Sequence, residues 1–262
     1  MQIDFKVAHV IDSGQGRFRC LVLGGSGALG RAVCRTLADY GSRVAFTYHS
    51  GRDAADELAP TLPDSIALPL DMRSIEAIDQ TVDRAAAELG GLDALVQCTA
   101  ICLSPGDPVQ PDSVQRLEDI HGPGWDELTA INVKGTFFAC RRAVPYMRQN
   151  GGGNIVLTGS ISGVKATPSP VIYATSKAAL VGMAQSMAKE LGKDNIRVNL
   201  VAPGVMEDGV SWALPRHLQE EYVKHCGLRR KARVGEIASV VAWLARHNTY
   251  VTAQTILVDG AV

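Results

Sequence analysis

Aromatic residues make up only 5% of this 262-residue chain, and neither sign of charge is in excess: 26 Lys and Arg face 27 Asp and Glu, for a formal charge of -1. A near-neutral chain projects no field that gathers polyanions, which argues against nucleic acid or an acidic membrane as the main partner. Long hydrophobic runs are also missing, since no stretch approaches the roughly 18 apolar residues that a bilayer span needs. The six cysteines (Cys20, Cys34, Cys98, Cys102, Cys140 and Cys226) form no C-x-x-C pair, and no histidine is spaced with them for zinc. Most sit in apolar runs, as small buried hydrophobes do, so reduced thiols and no metal site are expected. The opening MQIDFKVAHV alternates apolar and polar residues instead of forming an apolar core, so no signal peptide and a cytoplasmic location are expected.

What is present is core-forming material. Hydrophobic residues reach 46%, with 26 glycines, which excludes disorder and disulfide-stapled scaffolds. At roughly 150 residues per domain the length falls between one and two domains, and a single α/β sheet domain reaches this size. Ile3, Phe5 and Val7 read as a short strand, broken at Asp12–Gly16, so residues 1–18 form an N-terminal extension to a domain at 19–262.

From Arg19 on, short apolar runs alternate with helical patterns. Strands are expected at Leu21–Leu23, Val44–Phe46, Ile66–Leu68, Ala94–Val96, Ile155–Leu157, 197–201 and Ile256–Val258. Helices are expected from Leu29, with Val33 and Leu37 at helical spacing, up to Gly41, at 52–59, from Ile75 to Leu89, within 124–149 and at 171–192. This alternation implies βαβ crossovers: an α/β, doubly wound, Rossmann-like parallel sheet in a single domain. The irregular stretch 204–234 has the character of a lid.

Gly24-Gly25-Ser26-Gly27-Ala28-Leu29-Gly30 follows the first core strand and opens a helix. Such a turn lets backbone approach a pyrophosphate at a helix N-terminus, although similar turns also serve packing. At the end of the second strand a carboxylate would select NAD. Here Thr47, Tyr48, His49, Ser50 and Arg52 precede the first acid, Asp53. Hydroxyl, imidazole and guanidinium groups suit a 2′-phosphate, so NADP(H) is expected; the alternative is a solvated polar loop. Asp71 follows the third strand, either to accept from an adenine amino group or as a solvated turn residue.

Tyr173 and Lys177 are four residues apart and share a helix face, where an ammonium favours phenolate. Ser160 lies 13 residues before Tyr173, past a strand's carboxyl end, which is where ligands bind in such sheets. Taken alone it also reads as an ordinary turn serine. Asn132 falls mid-helix, a poor place for an amide without a partner.

Together these residues, with Asn199, Pro203-Gly204 and Val258-Asp259-Gly260, resemble the short-chain dehydrogenase/reductase family from about Arg19 to Val262. The run from Ser162 to Gly192 is most similar to the bacterial 3-oxoacyl-(acyl carrier protein) reductase branch. The resemblance implies that Tyr173 donates a proton, Ser160 polarises a carbonyl, Lys177 lowers the tyrosine pKa and binds ribose, and Asn132 holds a relay water. Implied cofactor contacts are Gly24, Ser26, Ala28, Leu29 and Gly30 in the turn. Tyr48, His49, Ser50, Arg52, Asp71, Met72 and Thr99 follow along the next strand ends. Tyr173, Lys177, Pro203, Gly204 and Met206 complete the set.

The chain departs from the family pattern at Leu23 (usually Thr), at Ala28 (usually Gly), at Gln97-Cys98-Thr99-Ala100 (usually Asn-Asn-Ala-Gly) and at Asp208 (usually Thr). An acid at 208 would repel cofactor phosphates unless it turns away or pairs. The implied reaction is NADPH-dependent reduction of a β-ketoacyl or polyketide-like ketone, free or carrier-linked. Alternatives are an alcohol dehydrogenase for a small or cyclic alcohol, and a catalytically silent dinucleotide-binding sensor or scaffold. The lid, about 205–231, would offer Met206, Trp212, Leu214, Leu218, Tyr222 and Cys226, as substrate lining or as packing. Arg229, Arg230, Lys231 and Arg233, joined by Arg141, Arg142 and Arg148, form a basic cluster that either docks an acidic carrier or makes ion pairs. A homo-oligomer, tetramer or dimer, is implied by the resemblance alone.

Overall fold

The computed structural model describes residues 17–103 and 113–262. The expected strand at Ile3–Val7 and the break at Asp12–Gly16 lie outside the described residues. Seven strands run β1 Arg19–Leu23, β2 Arg43–Tyr48, β3 Ile66–Pro69, β4 Ala94–Gln97, β5 Gly153–Thr158, β6 Ile196–Pro203 and β7 Thr255–Val258. All pair in parallel, in the order β3-β2-β1-β4-β5-β6-β7. The chain therefore winds outward one way from β1 and resumes at β4 on its other side. Connections leave β1 and β4 toward opposite faces, and the crevice between them opens at the strands' carboxyl ends.

The helices are α1 Ala28–Asp39, α2 Arg52–Leu58, α3 Ile75–Leu89, α4 Gly122–Thr129, α5 Thr136–Gln149, α6 Val171–Leu191, α7 Arg216–His225 and α8 Val234–Arg246. Burial on both faces explains the near-continuous apolar strands. Along β1, Leu21 and Leu23 face the core under α3, α5 and α6, while Cys20 and Val22 face the core under α1, α2 and α8. In α1 the buried residues Leu29, Val33, Cys34 and Leu37 follow helical spacing. Ser74 caps α3 by accepting from the Ala77 amide, and Gly90 ends that helix in the left-handed region at φ 79°.

Two features differ from the sequence reading. Helix α8 is absent from that reading, although Ile237, Ala238, Val241, Ala242 and Leu244 are buried against the sheet. The region 124–149 is two α-helices joined by one π-helical turn, Ala130–Gly135. Among the described residues, no helix is long and apolar enough to cross a membrane.

Phe46 of β2 is fully buried, and a Cβ on Gly25 would sit 2.5 Å from its Cβ. The ring thus floors the glycine turn. Phe46→Ala is expected to lower unfolding free energy by about 3–5 kcal/mol, checked by urea denaturation at unchanged m-value.

Candidate functional site

The glycine turn is built by backbone contacts that side chains would block. A Cβ on Gly30 would lie 2.1 Å from the Gly24 carbonyl oxygen, and one on Gly24, at φ 73°, would lie 2.7 Å from Thr99 Oγ1. The Gly24 amide donates to the buried Thr47 hydroxyl at 2.9 Å, which ties the turn to the end of β2. No side chain caps α1 at Gly27. A Cβ on Gly51 would sit 3.1 Å from Ser26 Oγ; Ser50 and Arg52 therefore flank the turn, with Tyr48 and His49 on the same strand end.

The residues singled out here fall into two groups. Around the nucleotide end, Asp71 is held by Arg73 at 2.8 Å, with His49 Nε2 at 3.8 Å. The Arg73 guanidinium holds the Asp71 carboxyl below its usual range. Arg52 is exposed and 3.6 Å from Asp56. Met72 is different: it is buried in the core, and a Cβ on Gly135 would meet its carbonyl oxygen at 2.5 Å.

The second group surrounds one cavity of about 620 Å³. Ala28, Leu29 and Gly30 line one end; Ser160, Tyr173 and Lys177 line the floor; Pro203, Gly204 and Met206 lie at the β6 exit. Lys177 is 2% exposed and donates to the Thr158 carbonyl at 2.8 Å, with Nζ 5.7 Å from the Tyr173 ring centroid. Burial pulls its pKa down to about 8, opposed by the Cys98 and Cys102 thiols. Burial also pushes the Tyr173 phenol up, helped by Cys102 and opposed by the nearby Ser160 hydroxyl. This differs from the expected lowering by Lys177. The ammonium lies over the ring and bonds a carbonyl, so desolvation of the phenolate dominates.

Asn132 has the partners its mid-helix position requires. Its Oδ1 accepts the Ile101 amide at 3.0 Å, and its Nδ2 donates to the Ile101 carbonyl at 2.9 Å and to Ser176 Oγ at 3.1 Å. Its backbone carbonyl accepts the Thr136 hydroxyl at 2.9 Å. The π-helical turn is what brings this amide against the loop after β4.

The departures from the family pattern are accommodated locally. Gln97 donates to the Thr99 carbonyl at 2.5 Å, and Cys98 accepts the Thr158 hydroxyl at 3.8 Å. Gln97 Oε1 is buried without a hydrogen-bond partner among the described residues. Asp208 lines the cavity and accepts the Gly209 amide at 2.6 Å. A Cβ on Gly209 would be 3.8 Å from that of Ala28, so this loop borders the glycine turn.

Of the expected lid residues, Met206, Leu214, Leu218 and Tyr222 line the cavity, and the side chain of Trp212 lies outside the described residues. Cys226 is instead buried behind the lid, with Sγ 3.2 Å from the Gly260 carbonyl oxygen. Of the two readings of the basic residues, ion pairing is seen for five of them. Arg141 pairs with Asp79, Arg142 with Asp83, Arg148 with Asp194, and Arg230 and Arg233 share Glu236. Carboxylates on neighbouring elements take up these charges.

Sequence reasoning missed Cys98 and Cys102 as cavity lining, Arg31 beside the turn, and Ser176 as the partner of Asn132. Only Ser176 had a signal, its place within the Tyr173–Lys177 turn. Among the described residues, no group of three or more His, Cys, Asp or Glu is placed to hold a metal ion.

This arrangement defines a dinucleotide-dependent oxidoreductase class. The family model described as Enoyl-(Acyl carrier protein) reductase matches residues 25–262. The chain belongs to the short-chain dehydrogenase/reductase family. It is 31% identical over 255 residues to Probable galactose dehydrogenase GalD of Rhizobium meliloti, covering 92% of this chain and 93% of that one. It is 30% identical over 251 residues to the 3-oxoacyl-(acyl-carrier-protein) reductase FabG of Thermotoga maritima, covering 93% and 96%. A short-chain dehydrogenase/reductase from Serratia marcescens superposes with a TM-score of 0.83 at 29% identity, covering 94% and 98%. A short-chain dehydrogenase from Burkholderia cenocepacia in complex with NADP superposes with a TM-score of 0.81 at 28% identity, covering 93% and 97%.

Lys177 offers a test of this geometry. Its ammonium binds a proton less well folded, near pH 8, than at the ordinary lysine value of 10.5. Its charge therefore costs stability below pH 8, and the cost fades as pH rises toward 10.5. Lys177→Met should raise Tm at pH 7 by roughly 2–4 °C. That advantage should shrink between pH 8 and pH 10, measured by calorimetry without added dinucleotide.

Proposed function

We propose that the protein reduces a ketone to an alcohol with NADPH, and that Ser160, Tyr173, Lys177 and Asn132 carry the chemistry. The observation that carries this reading is that Ser160, Tyr173 and the buried Lys177, one helical turn beyond the tyrosine, all line one cavity. The uncapped start of α1 and the close backbone approach at Gly24 and Gly30 fit a dinucleotide diphosphate. When bound, the dinucleotide supplies the hydride. Ser160 donates to the substrate carbonyl oxygen, where alkoxide charge grows. Tyr173, kept protonated by burial, delivers the proton to that oxygen. Lys177 holds ribose and returns charge balance beneath the phenol. Both Asn132 Nδ2 protons are taken by Ile101 and Ser176, so the proposed relay water is held through an acceptor of this residue, its amide or backbone carbonyl oxygen.

Preference for NADP(H) is supported by the end of β2. Thr47 is spent on Gly24 and Asp71 on Arg73, while the exposed His49 and Arg52, in long pairs of 3.8 Å with Asp71 and 3.6 Å with Asp56, can turn to meet a 2′-phosphate. Asp71, Tyr48, Ser50 and Thr99 complete the adenosine side, and Met72 packs in the core behind them. A β-ketoacyl or polyketide-like substrate, free or carrier-linked, is supported by the relatives that act on acyl carriers and by the apolar Met206, Leu214 and Leu218 lining. Ion pairing of the arginines weakens carrier docking and favours a second reading, a dehydrogenase for a cyclic alcohol, as the galactose dehydrogenase relative suggests. A homo-oligomer is inferred on either reading from the resemblance to the family alone.

Titration with NADPH and NADH, then turnover with a β-ketoacyl thioester and an alcohol panel, separates these readings. NADPH should give the higher kcat/KM; equal or better use of NADH would falsify the 2′-phosphate assignment. Tyr173→Phe should lower kcat by about 10²–10⁴-fold with dinucleotide binding retained. An unchanged rate rules out its role as proton donor.

A further inference from the structure

Helix α7 forms part of the cavity wall yet contains no fully buried residue. Apolar packing alone gives such a helix little hold. Polar bonds hold it instead: Gln219 donates to the Ser211 and Leu214 carbonyls and accepts from Lys231, and the turn after β7 adds a further grip. The Tyr222 hydroxyl donates to the Asp259 carbonyl at 2.6 Å, and the Leu228 amide donates to the Gly260 carbonyl at 3.1 Å. The Tyr222 hydroxyl also lies where a Cβ on Gly204 would fall, 1.9 Å away, so only glycine there admits the phenol.

The same turn grips the opposite wall. Lys165, five residues beyond Ser160, donates from Nζ to Asp259 Oδ2 at 2.6 Å and also to the Val262 carbonyl. The Asp259 side chain is 8% exposed, and its Oδ1 accepts the Ala261 amide at 3.0 Å. A charge-assisted bond on a carboxylate this sheltered is among the stronger polar contacts a protein makes. Lys165 thus fixes the Ser160 loop, and Tyr222 the α7 wall, to one residue.

We propose that Lys165, Asp259 and Tyr222 form a latch that sets the spacing between the Ser160 wall and the α7 wall, and act as positioning residues for the ketone. The proposal rests on the reductase reading for its kinetic part only. A latch made of one hydroxyl and one ion pair holds the wall closed for turnover while still releasing it for exchange of product.

Tyr222→Phe keeps the ring and deletes the bond. Hydrogen–deuterium exchange of amides 205–228 should quicken by about tenfold. KM for the ketone should rise several-fold, with kcat within about twofold of the unmodified enzyme. Lys165→Met should act in the same direction, Lys165→Arg should restore the unmodified values, and the Tyr222→Phe/Lys165→Met pair should add little to either alone. Unchanged exchange, or faster exchange with an unmoved KM, overturns the latch. Exchange is read without substrate, so a protein that reduces no ketone removes the reductase reading and leaves the latch to be judged by exchange.

Discussion

An ammonium withdrawn from water needs an acceptor at once, and in this protein the acceptor of Lys177 is the carbonyl of Thr158, the last residue of β5. That bond joins the first turns of α6 to the carboxyl end of the central sheet. It places the Tyr173 phenol over the crevice and leaves Ser160, two residues past the strand, beside it. Because the charge is nearly buried, the surrounding groups must tolerate it: Cys98 and Cys102 are thiols that burial keeps protonated, raised to about 12 and about 11. The site therefore stores an unfavourable burial in one side chain, and the rest of the fold, above all β5 paired on both sides, supplies the rigidity that keeps it there.

Dinucleotide and substrate ends of the crevice are built by different physics. At the glycine turn the constraint is steric, because the Gly24 carbonyl and the Gly30 α-carbon leave no room for a side chain. At the lid the constraint is polar, with α7 held through Asp259 and the β6 exit rather than by a packed apolar face. This contrast suits a protein that must hold one ligand by backbone and let another enter and leave. Asp208 lies between the two ends, its Oδ1 turned to the Gly209 amide.

Much of the sheet was legible because its strands are short apolar runs set between helical periods, and both cores need exactly that alternation to fill. Helix α8 escaped notice although its buried stripe is regular, because its start at Arg233–Glu236 follows a basic, loop-like stretch that draws the eye to charge. The π-helical turn at Ala130–Gly135 was not legible either: an α-helix and a π-turn share the same local composition, and only the demand of the Ile101 backbone on Asn132 separates them. The arginines misled for a related reason. Sequence shows which charges are near in the chain, and the carboxylates that neutralise Arg141 and Arg142 come from α3, about sixty residues away.

The order of residues alone determined the α/β class, the glycine turn and the four-residue spacing of Tyr173 and Lys177, since each follows from local sterics or helical period. Tertiary structure decided the sign of the phenol's shift, the fate of each arginine, and the grip of Lys165 and Tyr222 on Asp259. Those depend on burial and on partners distant in the chain, and neither quantity exists until the sheet has closed around them.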